Sequence, residues 1–489
     1  MGFDTMASGV RGGRGLAHLK HGLLFLSVLS ATGLAHAQSA SAPAAAPAPA
    51  DDSLTYHGIT LYGIVDVGIQ NQTHGAPISD YYPAGSADIV QKNSNASVTG
   101  VTPNNLSQSR IGLQGIEPIV GDWSGVFRLE TFFNPQSGDI SDGLKSQVLN
   151  YGRALGAQTT NLDSSVAGQI FQQSYAGFTS KTFGTITFGR QNTLLADGIA
   201  KYDPNYASQA FSLIGLSGTT AGGGDTEDRR LDQSVKYVGS YGGVAHFGAE
   251  YKFNGSNGAA NTAVQVTFGG EYAGASIDAY YSKVKDAVAT SALSAAQVAG
   301  LPGLCPNPLP AGGSCVSASV SNSLAATISD NTVFAVMGLY NLGATKFFAG
   351  YEHIKYANPN TPLPAGFDTI GGYKLAYVNN AAFPHDKTMQ VFWGGVRYTV
   401  IPELDLVGAY YGYKQDAYGT GANAGCSSNV SGTCSGTLDT VSFDADYRLS
   451  KRFDAYAGVM YSGVHDGLAN GYLFHTTDIT TTTGVRFKF

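Results

Sequence analysis

Four cysteines are the most reactive side chains in this sequence, and they fall in two close pairs, Cys305 with Cys315 and Cys426 with Cys434. Each pair sits in a Gly/Ser-rich stretch, and neither has the C-x-x-C spacing of a zinc site. In an oxidising compartment such pairs close local disulfides, and free or catalytic thiols are the weaker alternative. Asp51-Asp52 and the group Asp225, Glu227 and Asp228 offer oxygen ligands of the kind a loop Ca²⁺ takes. Solvated acids are the simpler reading, and no other metal or cofactor is expected. No G-x-S-x-G, H-E-x-x-H or Walker segment occurs, and the seven histidines beyond residue 37 are scattered. An enzyme whose triad is assembled from distant loops stands as an alternative class without a motif behind it.

The elements that carry these residues are exported ones. Arg11, Arg14 and Lys20 precede an apolar run, Gly22 to Gly33, and Ala35-His36-Ala37 has the small-x-small form of a cleavage site. Residues 1–37 are therefore expected to be a signal peptide. Its Asp4 and three basic groups sum to +2, so the chain charge of −7 becomes −9 after cleavage. An acidic chain of this kind is no nucleic-acid binder. Residues 38–56, rich in Ala and Pro, read as a periplasmic linker, and 57–489 as one unit. That unit has no run of 18 apolar residues for a spanning helix. Charged residues are only 13% of the chain, with 64 Gly and 28 Tyr, which suits many strands and tight turns.

The dominant pattern has period two. Ile479, Thr481, Thr483, Val485, Phe487 and Phe489 share one face of the last segment, and Arg486 and Lys488 share the other. Val441, Phe443, Ala445 and Tyr447 alternate in the same way with Asp444, Asp446 and Arg448. About sixteen such segments follow one another, starting near Ile59, Ser109, Trp123, Gln172, Thr185, Leu231, Val244, Ala263, Ser276, Thr332, Thr345, Thr388, Leu404, Leu438, Phe453 and Asp478. Short turns alternate with long loops, which run roughly over 71–107, 134–170, 191–229, 286–330, 357–386, 415–437 and 464–477. An even strand number with this asymmetry predicts an all-β fold, a 16-stranded antiparallel transmembrane β-barrel with an apolar face to lipid and a charged face to a wet lumen. A soluble β-sandwich or propeller also alternates but leaves the charged strand faces unexplained.

Parity then orients the arginines. Arg110 alternates with Ile111 and Leu113 and points to the lumen, and Arg230 shares the inward parity of Asp232, Ser234 and Lys236. Strict alternation with Ile186 and Phe188 turns Arg190 outward. A lipid-facing Arg at mid-depth costs about 2–4 kcal/mol, so a bulge or a rim position is expected there.

Thr60-Leu61-Tyr62-Gly63-Ile64-Val65-Asp66, Ser109-Arg110-Ile111-Gly112-Leu113-Gln114-Gly115, Phe127-Arg128-Leu129-Glu130 and Phe183-Gly184-Thr185-Ile186-Thr187-Phe188-Gly189-Arg190-Gln191 follow one another in order. With Ser234-Val235-Lys236-Tyr237, Tyr447-Arg448-Leu449-Ser450-Lys451-Arg452 and the ending Gly484-Val485-Arg486-Phe487-Lys488-Phe489, this set resembles Gram-negative general porins of the β-proteobacterial type. The resemblance covers nearly all of the chain after residue 57. It implies a homotrimer in the outer membrane, delivered by the barrel-assembly machinery, that passes small hydrophilic solutes and ions passively. It also implies an inward-folded third loop, here 191–229, whose acids face wall arginines at a constriction. Arg110, Arg190 and Arg230 match the wall positions, and Asp197, Asp203, Asp225, Glu227 and Asp228 are the loop's acidic candidates. Terminal Phe489 matches the family's assembly signal. A substrate-specific porin and a barrel adhesin are the rival readings.

Overall fold

The computed structural model describes residues 54–74, 97–133, 135–136, 138, 171–216, 230–253, 262–291, 323–362, 369–370, 373–470, 472 and 474–489. The expected leader, most of the linker, Asp225, Glu227, Asp228, Cys305 and Cys315 lie outside these residues.

Sixteen strands form one continuous antiparallel ladder. They are β1 (Ile59–Gln72), β2 (broken into Val98–Pro103 and Arg110–Val120), β3 (Trp123–Phe132), β4 (Phe171–Ser180), β5 (Gly184–Asn192), β6 (Arg230–Tyr241), β7 (Ala245–Lys252) and β8 (Ala263–Tyr272). The second half comprises β9 (Ala275–Ser291), β10 (Ser323–Leu342), β11 (Thr345–Ala357), β12 (Lys387–Ile401), β13 (Leu404–Gln415), β14 (Gly436–Arg448), β15 (Phe453–Asp466) and β16 (Thr477–Lys488). The first strand closes on the last, with Val65 opposite Phe487 and Gln72 opposite Thr480. The terminal residue extends the seam: the Gly63 amide donates to the Phe489 carbonyl at 2.9 Å and the Phe489 amide donates to the Gly63 carbonyl at 3.0 Å. Among the described residues the ladder thus runs continuously around the barrel.

Alternation decides which way each side chain faces. Ile277, Phe334 and Phe268 stand 58–66% exposed on the outside, an apolar surface that suits lipid and not water. On the same strands, Asp278, Ala335 and Gln265 have the opposite parity and are buried inside. The short turns all lie at the end where the chain enters and leaves the barrel. Gly242 and Gly243, in the three-residue connection from β6 to β7, have φ of 63° and 67°, left-handed values that glycine adopts without a Cβ penalty.

Strand starts fall close to the expected positions except at two places. β10 begins at Ser323, not near Thr332, because its first residues pair with the far end of β9 through Ser291↔Ala325. Tyr373–Asn379 adds a parallel stretch against it, with Thr327 opposite Asn379. The other exception is Val98–Pro103, a ladder segment inside the span expected to be a loop.

Strand lengths are very uneven. β5 has 9 residues, whereas β9 has 17 and β10 has 20.

Candidate functional site

The segment after β5 is a helix and not an irregular loop. Helix α1 (Leu194–Tyr202) starts at Thr193, whose hydroxyl accepts from the Ala196 amide at 3.0 Å. Leu194, Leu195, Gly198, Ile199 and Tyr202 make one buried face, Asp197 stands in the first turn and Lys201 in the last, which suits the helix dipole. Pro204 follows the helix, and a short second helix, α2, covers Leu213–Leu216.

The first amides of α1 find acceptors on inner-face side chains of the wall. Leu194 N donates to Glu250 of β7 at 3.1 Å and Leu195 N to Gln265 of β8 at 3.0 Å. Tyr202 hydroxyl bonds Ser276 at 2.6 Å and donates to Asp278 at 2.5 Å, both on β9. Lys201 Nζ lies 2.7 Å from Glu271 and 3.5 Å from Asp278. On the far side, Arg397 of β12 donates to the Pro204 carbonyl at 2.9 Å, and Asn205 donates to Tyr411 of β13 and Ser442 of β14, each at 3.2 Å.

Below these polar contacts is a dry contact. Leu194, Leu195, Ile199, Leu213 and Ile214 pack against inward Val333, Met337, Ile354, Val391 and Trp393. Burial at this density stabilises by about 1.5–3 kcal/mol per large aliphatic side chain. The inner faces of β10 to β13 are therefore apolar in part, which corrects the expectation of a uniformly charged lumen wall. A nearly continuous apolar sequence such as Val333-Phe334-Ala335-Val336-Met337 supplies both faces at once.

Each sequence candidate among the described residues has a definite place. Arg110 Nη1 lies 3.9 Å from Glu130, a fully buried carboxylate that also receives the Tyr62 hydroxyl at 2.8 Å and Gln173 at 2.9 Å. Arg230 lays its guanidinium 4.6 Å from the centre of the Phe132 ring, and Phe132 is the ladder partner of Arg110. The two arginines thus flank one aromatic ring. At Arg190 the ladder slips between Gly189 and Gln191, and its guanidinium pairs with Asp232 and donates to Gln172 at 3.3 Å. Asp197 pairs with Lys236 of β6, whose ammonium also reaches the Asn192 carbonyl at 2.9 Å. Burial pushes the Asp197 carboxyl up, and the Lys236 charge opposes that rise.

Asp203 does not display its charge. It is fully buried and accepts from the Tyr411 hydroxyl at 2.6 Å, the Ala207 amide at 2.7 Å and the Asn205 amide at 3.1 Å. Burial raises its carboxyl above the ordinary range against the bonds from Tyr411, Ser212 and the two amides.

Other inner-face groups were not singled out from sequence. Arg128 donates to Gln114 at 2.8 Å and lies 5.3 Å from the Tyr62 ring centre. Near the short-turn end, Arg486 pairs with Asp446 at 3.2 Å and Asp454 at 2.5 Å, Lys488 reaches Asp454 at 2.6 Å, and Asp405 is shared by Arg397 and Arg448. Their common signal was parity: each shares its strand face with groups already read as inward. In the loop after β13, Cys426 and Cys434 form a disulfide with Cα atoms 4.9 Å apart, and the Ser435 amide donates to the Cys426 carbonyl at 3.1 Å. Among the described residues no cluster of three or more metal-ligating side chains occurs.

A sequence model described as "Gram-negative porin" matches residues 25–467. An outer membrane porin protein of Bordetella pertussis is 29% identical over 212 residues, which is 43% of this chain and only 46% of that relative. Among solved structures, an anion-selective porin from Comamonas acidovorans superposes with a TM-score of 0.55 at 16% identity, covering 88% of this chain and 99% of the other. Outer-membrane expressed OmpT of Vibrio cholerae superposes with a TM-score of 0.52 at 15% identity, covering 89% and 99%. At such identities these two structures speak to the fold alone.

Proposed function

Because the chain belongs to the Gram-negative porin family and is an outer-membrane β-barrel, we propose that it is a passive diffusion channel for small hydrophilic solutes and ions. The segment 191–229, described over 191–216, is its inward-folded constriction loop. One observation carries this reading: α1 and the turn after it bond inner-face side chains on β7, β8, β9, β12, β13 and β14. A segment tied to so many strands on their inner faces narrows any water path between them.

At the waist, Arg110 and Arg230 form the basic wall on either side of Phe132, with Arg190 held nearby by Asp232. Asp197 is the loop acid that faces them, through Lys236 and Arg128. Charges at a narrow waist act at contact range, whereas bulk charge is screened beyond about 8 Å at physiological salt. The net acidity of the chain is therefore a poor guide to ion preference. The working unit is a homotrimer, and the leader 1–37 directs its export.

Planar-bilayer recording on detergent-purified protein tests the reading. Insertion should give stepwise, ohmic currents from material that runs as an oligomer unheated and as a monomer after boiling. Folded oligomer that gives no current steps would overturn the channel reading in favour of an adhesin or structural barrel.

A further inference from the structure

The break in β2 is far larger than a simple bulge. Between Pro103 and Arg110 six residues, 104–109, face only Val65 and Asp66 of β1. Pro103 brings no N–H to the ladder, and Asn104 adopts φ 62°, a left-handed conformation that Asn tolerates. The excursion is organised by one side chain. Asp66 Oδ2 accepts from the Leu106 amide at 2.9 Å and the Ser107 amide at 2.8 Å, and Asp66 Oδ1 accepts from the Tyr456 hydroxyl at 2.5 Å. The Asp66 carbonyl accepts from the Asn104 amide at 2.9 Å, and its own amide donates to Ser109 Oγ at 2.9 Å. Arg486 of β16 holds the same segment by donating to Ser107 Oγ at 2.8 Å.

From this anchor the excursion reaches the turn that follows α1. The Asn105 carbonyl accepts from the Ser208 hydroxyl at 2.7 Å and from the Ala210 amide at 3.0 Å. Gln209 donates to Gln108 at 3.0 Å, and Leu106 packs in one cluster with Ala210, Phe211 and Tyr456. The loop is thus tied to wall strands along α1 and to a second inward segment at Ser208–Phe211.

We propose that Asn104–Ser109 is a strut, set by Asp66, that holds the distal turn of the constriction loop in place and so fixes the aperture of the pore. Asp66 is a positioning residue in this scheme, and the scheme rests on the loop being the constriction. A carboxylate that receives two backbone amides makes charge-assisted bonds, stronger than neutral ones. Removing it leaves the Leu106 and Ser107 amides and the Tyr456 hydroxyl without this acceptor, which should lower the docked-to-undocked ratio of the strut by about tenfold or more.

Single-channel recording on assembled oligomers tests this. Asp66→Ala should assemble and show brief closures and open-channel noise roughly tenfold more frequent than the parent. A short bifunctional thiol cross-linker joining Gln108→Cys to Gln209→Cys, whose parent side-chain ends meet at 3.0 Å, should restore the quiet channel in the Asp66→Ala background, which a general loss of barrel stability would not allow. If Asp66→Ala does not assemble, Ser208→Ala with Gln209→Ala cuts the same contact from the loop side and should give the same closures. An assembled variant of either kind that stays as quiet as the parent overturns the strut. Deleting Asn205–Phe211 separates the two ideas. If conductance does not rise, the constriction reading falls and the strut with it. If conductance rises while Asp66→Ala stays quiet, only the strut falls.

Discussion

The indole N–H of Trp393 donates to the carbonyl of Tyr202 at 3.0 Å, joining the middle of β12 to the last residue of α1. The same indole lies over Gly350 on β11, where an added Cβ would come within 2.0 Å of the ring. Trp393→Phe keeps most of the ring and removes the donor, so the buried Tyr202 carbonyl loses a partner at a cost of about 1–3 kcal/mol to loop docking. The barrel ladder is not involved. Expected are normal heat-modifiable oligomers with a loop more open to protease, and Gly350→Ala should act in the same direction by pushing the indole aside. Identical cleavage rates in parent and both variants would show that this fastening is idle.

Neutralising Arg110 and Arg230 together to Gln should move the reversal potential under a salt gradient toward cation preference, most visibly at low salt, where screening is weakest. The pair flanks Phe132, so the two charges are lost from one place. An unchanged potential with the oligomer intact would mean that they line a wide wet pore.

Asp197 and Asp203 are expected to behave differently although they belong to one short segment. Asp197→Asn removes the partner of Lys236 and should shift the potential toward anions. Asp203 is enclosed by Tyr411 and the 203–207 turn, so Asp203→Asn should loosen the loop, raising noise while the potential stays near that of the parent. Equal shifts in potential from the two variants would contradict this assignment of roles.

The Cys426–Cys434 bridge closes a short loop, worth about 2–3 kcal/mol in the chain-entropy model. Both cysteines lie between β13 and β14 and outside the ladder. Cys426→Ser with Cys434→Ser should leave barrel assembly intact and make residues 416–435 easier to cleave. Lost assembly in the double variant would place the bridge in the folding path.

Phe489 bonds Gly63 through both its amide and its carbonyl, and its ring stacks 6.1 Å from Phe487. Deletion takes two ladder bonds from the closing seam and removes the terminal aromatic that the assembly machinery is proposed to read. Outer-membrane yield should fall, with precursor accumulating in the periplasm. Equal yields of deletion and parent would count against the signal.

Much of this was legible from period two. Lipid and water impose opposite demands on adjacent residues, so the strands, their number and the inward face of Arg110 follow from alternation. Arg190 broke the alternation, and there the ladder slips at Gly189–Gln191. The helix was missed although its signals were present: Thr193 as cap, and Leu194, Leu195, Gly198, Ile199 and Tyr202 at helical spacing. A nine-residue helix inside a long loop is easily hidden when the neighbouring pattern is strand-like. The inner apolar wall of β10 to β13 was hidden for another reason. Where both faces are apolar, alternation carries no information, and only the packing partner from α1 reveals which residues turn inward. Residues 104–109 gave no periodic signal at all, because an excursion held by one distant carboxylate has no local pattern.

The unequal strands give the barrel an oblique rim. At about 3.3 Å per residue and a tilt near 40°, the 20 residues of β10 rise about 50 Å along the membrane normal, roughly twice the height of the lipid-facing band of about 25 Å. The 9 residues of β5 rise only about 23 Å by the same arithmetic and end near the band's edge. Among the described residues the ladder therefore ends near the outer leaflet at β5, while the β9–β10 side continues about 25 Å further. Ladder-paired backbone thus reaches well beyond the headgroups on the β9–β10 side, as a firm wall and not a loose loop.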